Sequence, residues 1–182
     1  MKYWLVCFTL CCSLLSMGQD PSTSGGYFLV EEEKFTLPEA AIIDHYLDSS
    51  PMAFTANDME GIEHYLGNHS GQMVLLWFWK TDCPLCLAEI KGLNALREEF
   101  PDSFTLLSLA DDNREILSSF LQSNTVNFPT IPNARILAEG AYAHDLGYPR
   151  LFIIGHDGLI DAILPHSYFQ GDHDLKSLLT SI

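Results

Sequence analysis

The sequence predicts an α/β fold in which a mixed central sheet is flanked by helices and preceded by an N-terminal extension. Three observations predict it. The continuous apolar run "QMVLLWFW" (residues 72–79) has the pattern of a central strand covered on both faces. Strand-like and helix-like segments then alternate along the chain, as in parallel α/β architectures. Near the end, two apolar runs flank "HDG" in "RLFIIGHDGLIDAIL", which is the signature of an antiparallel hairpin.

The elements follow in order. "MKYWLVCFTLCCSLLSMGQ" carries Lys2, an apolar run to Leu15 and a small-residue end, and reads as a secretory signal peptide over residues 1–18. A retained membrane anchor is the alternative, although the run is shorter than the ~20 residues of a spanning helix. Residues 19–54 form a linker and extension. Within them "DPSTSGG" has linker composition, "YFLVEEE" is strand-like, and "LPEAAIIDHYLD" is helical with Pro38 in its first turn. Residues 55–182 form the main domain. "TANDMEGIEHYLGNHSG" is read as a capped helix ending near Gly67. After the central strand, "LAEIKGLNALREEF" places Ile90, Leu93, Leu96 and Phe100 at helical spacing. "FTLLSLADD" is a second buried strand, and "REILSSFLQSN" and "RILAEGAYAHDL" are helices. The hairpin and a helix in "DHDLKSLLTSI" close the chain.

Composition narrows the function. With 47% hydrophobic and 18% charged residues the chain is globular rather than disordered. Nine basic residues against 24 acidic ones, a formal net charge of -15, cannot neutralise a run of phosphates. Nucleic acid is therefore excluded as a partner, and an anionic membrane surface is disfavoured.

The cysteines are the most informative residues. Of the five, Cys7, Cys11 and Cys12 leave with the signal peptide, so Cys83 and Cys86 remain as one pair. In an oxidising compartment such a pair either reacts or bridges. "TDCPLC" follows a buried strand and opens a helix, which puts Cys83 at the N-cap and Pro84 at the first helical position. Unpaired N–H groups and the helix dipole then favour thiolate at Cys83, while Cys86 lies a turn deeper and is shielded. One thiol attacks a disulfide and the other resolves the mixed disulfide. Pro149, directly before a buried strand, cannot donate a ladder bond, and a cis Tyr148–Pro149 bond is one reason for its presence.

"VLLWFWKTDCPLC", "LAEIKGLNALREEF" and "GYPRLFIIGHDGLI" together resemble the thioredoxin superfamily, and within it the exported TlpA/ResA-type thiol-disulfide oxidoreductases. The resemblance covers roughly residues 55–182 and implies a thioredoxin-like fold. It implies Cys83 as nucleophile, Cys86 as resolving thiol, and Pro149 as the cis-proline lining the substrate groove beside Tyr148. It also implies Glu89, one turn beyond Cys86, as an acid that tunes the thiols and relays protons. The alternative for Glu89 is a solvated helix residue. The implied partners are exported proteins carrying disulfides or thiols and a membrane electron donor, with no cofactor and no metal.

The chain departs from the family in four places. Trp77 stands where thioredoxins bury an acid, and Asp82, an expected brake on thiolate formation, precedes Cys83. Lys91 replaces a helix proline, and Tyr148 replaces the usual threonine. Reductase action is expected; an oxidase or isomerase of the same fold, and a binding module with a structural disulfide, are the alternatives. Zinc would need two further ligands, and only His64 and His69 among seven histidines lie near one another. A peroxiredoxin needs P-x-x-x-[ST]-x-x-C. Counting back from Cys83 gives Leu76 and Lys80, and from Cys86 gives Trp79 and Cys83, so neither cysteine fits.

Overall fold

The computed structural model describes residues 37–67, 71–165 and 175–179. The signal-peptide, linker and "YFLVEEE" readings lie outside these residues, as does part of the closing helix.

Five helices and seven strands are described: α1 (Leu37–Tyr46), β1 (Phe54–Asn57), β2 (Glu63–Leu66), β3 (Met73–Trp79), α2 (Pro84–Glu99), β4 (Phe104–Ala110), α3 (Arg114–Leu121), β5 (Thr130–Ile131), α4 (Arg135–Ala141), β6 (Arg150–Ile154), β7 (Ile160–Pro165) and α5 (Leu175–Leu179). A single 3-10 turn, His144–Leu146, lies between α4 and β6. The main sheet has the order β5-β4-β3-β6-β7. β3 runs parallel to β4 and antiparallel to β6, so the sheet is mixed and the fold thioredoxin-like.

β3 is central, and all seven of its residues are buried, because its two faces supply two cores. Met73, Leu75, Trp77 and Trp79 point to one side and meet Ile90, Leu93 and Leu96 of α2 and Leu117 of α3. Val74, Leu76 and Phe78 point to the other and meet Ala138 of α4, Phe54 and Leu66. Ile42, Ile43 and Tyr46 of α1 pack on this second face, so the described part of the extension covers the sheet.

The helix expected over residues 55–67 is instead the β1–β2 hairpin, with Phe54 opposite Leu66 and Asn57 opposite Glu63. Turn chemistry is the reason. The Asp58 carboxylate accepts the N–H groups of Glu60 and Ile62, each at 2.9 Å, and Gly61 takes a left-handed φ of 85°. The turn is also anchored from outside: Met59 N–H donates to the Thr130 carbonyl at 2.9 Å, and the Arg114 guanidinium donates to the Met59 and Asp58 carbonyls. These tertiary bonds outweigh a weak helical pattern. The hairpin around "HDG" forms as expected, with Asp157 accepting Leu159 N–H and Gly158 at φ 84°.

Candidate active site

The site is built where β3 hands over to α2. Trp79 ends the strand, and Lys80, Thr81 and Asp82 form the connection. Two residues after β4 hold it: Asp111 N–H donates to the Trp79 carbonyl at 2.9 Å, and Asp112 accepts Thr81 N–H at 2.6 Å. Cys83 is then the N-cap of α2, in extended backbone conformation, with Pro84 at the first helical position.

Cys83 and Cys86 are joined by a disulfide, with their Cα atoms 5.2 Å apart. The Cys83 sulfur also accepts Cys86 N–H at 3.1 Å. After reduction a negative sulfur at Cys83 would face this donor and the positive end of a helix of 16 residues. Cys86 is fully buried and Cys83 is 7% exposed. Pro84, Leu85, Leu87 and Ala88 around them are exposed, so the pair sits just beneath an open surface.

The sheet side of the site is aromatic. Trp77 and Trp79 stack 5.0 Å apart and nearly parallel, and both are fully buried. Trp79 Nε1 donates to Ser108 Oγ at 2.6 Å. Trp77 thus replaces the carboxyl expected there with an indole that does not take up protons. Glu89 is 1% exposed on the buried face of α2, which removes the solvated alternative for it. Asp82 differs from expectation. Its carboxylate is 75% exposed and pairs with Lys80 Nζ at 3.2 Å, so its charge is turned to solvent and partly neutralised.

The structure brings the proline segment to the same place. The Tyr148–Pro149 bond is cis, and Pro149 is buried. Tyr148 is half-buried and packs against the apolar cluster that contains both cysteines. Lys80 Nζ lies 6.0 Å from the centre of the Tyr148 ring, which links the cysteine loop to the proline loop. Burial raises the Tyr148 phenol above its ordinary pKa, with Arg150 acting in the opposite sense and Asp111 in the same one.

Sequence reasoning missed Arg150. Arg150 is fully buried and heads β6 directly after Pro149. The signal for Arg150 was present: a charge heads the otherwise apolar strand "RLFII".

Similarity to known proteins agrees with this geometry. The sporulation thiol-disulfide oxidoreductase A of Bacillus subtilis (strain 168) is 25% identical over 129 residues, which span 68% of this chain and 77% of that protein. The crystal structure of StoA from Bacillus subtilis superposes with a TM-score of 0.58 at 22% identity, covering 71% of this chain and 96% of that one. The thioredoxin domain of a thiol-disulfide oxidoreductase from Bacteroides vulgatus gives a TM-score of 0.60 at 20% identity, covering 75% and 97%. Both solved structures share the fold. The model of the AhpC/TSA family matches residues 49–163, a span that opens before β1, closes within β7 and encloses Cys83, Cys86, Glu89, Tyr148 and Pro149; the chain belongs to that family.

Proposed function

We propose that this protein is a thiol-disulfide oxidoreductase that reduces disulfides in exported protein substrates through the Cys83–Cys86 pair. The observation that carries the reading is the Cys83 sulfur at the helix N-cap, bonded to Cys86 and accepting its N–H at 3.1 Å. The same chemistry stands in the names of the relatives described above, and the reading of residues 1–18 supports export.

The steps balance as follows. The Cys83 thiolate attacks one sulfur of a substrate disulfide, forming a mixed disulfide and releasing one substrate thiolate, which takes up a proton. The Cys86 thiol loses its proton and attacks the Cys83 sulfur. The internal disulfide forms and the second substrate sulfur leaves as a thiol. Two electrons pass to the substrate, and a membrane donor of the dithiol class restores the pair. Glu89, buried one turn beyond Cys86, accepts and returns the Cys86 proton. Tyr148 and Pro149 line the groove in which an extended substrate pairs with the backbone. Peroxide reduction is not part of this reading, because neither cysteine has the spacing it needs.

The test is insulin reduction by the full chain, with the reduction potential of the pair measured in glutathione buffers. Cys83→Ser should abolish turnover, and a reductase requires a potential below the poise of its compartment. Full turnover by Cys83→Ser overturns the dithiol mechanism.

A further inference from the structure

We propose that Arg150 is a positioning residue for disulfide exchange: its buried guanidinium fixes Tyr148 and the turn before Pro149 so that the adjoining backbone meets an extended substrate in one register. The inference deepens the proposed function and rests on that reading of the site.

Arg150 has no exposed surface, so it touches no substrate itself. A desolvated guanidinium is costly unless its donors are used, and an aliphatic residue would suit the pattern of "RLFII" better. Its geometry shows what it holds. Nε donates to the Tyr142 carbonyl and Nη1 to the Gly147 carbonyl, both at 2.6 Å. These carbonyls bracket the 3-10 turn His144–Leu146, so one planar fork ties both ends of it. The turn needs tying. Ala143 at its entrance has a left-handed φ of 49°, which a residue with a Cβ adopts reluctantly, and Gly147 at its exit has φ 71°.

The guanidinium is also an aromatic filling. Its central carbon lies 4.7 Å from the Phe78 ring centre and 4.9 Å from that of Tyr148. Phe78 is the β3 residue paired with Arg150 across the sheet, next to the strand's last residue. Arg150 therefore connects the rigid centre of the sheet to the one ring that also meets Lys80 of the cysteine loop. Asp111 and His144 complete the surroundings of Tyr148, His144 with its ring centre 6.1 Å away. An aliphatic side chain would fill the space between the rings, but it would leave both carbonyls and the turn unheld.

The test compares two substrates in the full chain: an extended peptide containing a disulfide, which needs the groove, and dithiobis-nitrobenzoate, which does not. Arg150→Lys keeps the charge but loses the fork and the flat stack. It should raise KM for the peptide about tenfold with little change in kcat, while the small disulfide changes by less than about twofold. In a Tyr148→Ala background the same substitution should add clearly less than its full effect, because part of that effect passes through Tyr148 and only the part carried by the turn remains. Equal losses on both substrates, no loss on either, or a full additional loss in the Tyr148→Ala background each overturn the inference. If Arg150→Met folds, the tyrosinate absorbance assigned by difference with Tyr148→Phe should titrate at higher pH than in the parent chain; an unmoved titration counts against it. Failure of the underlying reading looks different, since Cys83→Ser would then turn over the peptide whatever occupies position 150.

Discussion

The backbone N–H of Cys86 points at the Cys83 sulfur from 3.1 Å, so the residue proposed to resolve the mixed disulfide also supports the sulfur proposed to form it. Replacing the Cys86 side chain leaves that donor in place. Cys86→Ala should therefore keep a Cys83 thiol that reacts faster than free cysteine with iodoacetamide near neutral pH, and it should accumulate mixed disulfides visible by intact mass. A variant that alkylates no faster than free cysteine would show that the helix start does not activate the sulfur.

Asp82 gives a contrasting expectation. Its carboxylate is exposed and faces Lys80, so solvent and the neighbouring ammonium weaken its field at the sulfur. Asp82→Asn should change the Cys83 alkylation rate by less than about twofold. A larger acceleration would mean that the carboxylate turns inward once the pair is reduced.

Glu89 is the only carboxyl on the buried face of α2. Glu89→Gln keeps its shape and removes its proton chemistry. If the proposed relay operates, turnover of a protein disulfide should fall ~100-fold, with the urea midpoint close to that of the parent chain. Unchanged turnover across neutral pH would leave Glu89 with a packing role.

Asp58 makes the hairpin turn sensitive to acid. Burial pushes its carboxyl upward, but hydrogen bonds from His64, Ile62 and Glu60 outweigh this and hold it below the ordinary value. A depressed folded-state pKa stabilises the fold above the unfolded value of about 4, and the gain is lost as the pH falls through the folded value. Asp58→Asn should cost about 1–2 kcal/mol in urea denaturation at neutral pH. The difference should close in stronger acid, and a constant difference at all pH values would contradict the assignment.

The legible parts of this fold were those whose signal is local. β3 declared itself by seven apolar residues in succession, and the start of α2 by a cysteine and a proline at cap and first-turn positions. The parts that were misread depend on partners distant in sequence. The Asp58 turn is settled by Arg114 and Thr130, more than fifty residues away. β5 has two residues, too few to carry any periodicity, and exists because β4 lies beside it. In the site, the spacing of Cys83, Cys86 and Pro149 could be read directly, whereas the burial of Glu89, the outward turn of Asp82 and the stack on Arg150 are set by packing. Arg150 illustrates the limit: its charge was visible, but the two carbonyls and two rings that give it a purpose come from four separate positions.

The bond from Met59 N–H to the Thr130 carbonyl has a consequence for how copies of the chain behave together. β5 lies at the margin of the sheet, and an unpaired margin is where a second molecule can add a strand and begin an aggregate. The hairpin turn occupies that acceptor, and Asp58 maintains the turn. Acid would thus remove two safeguards in turn: first the surplus of negative charge, -15 at neutral pH, as the ordinary carboxyls take up protons, and then, at lower pH, the carboxylate that shapes the cover. Light scattering should accordingly rise steeply as the solution is acidified, and earlier in Asp58→Asn, where the cover is already weakened.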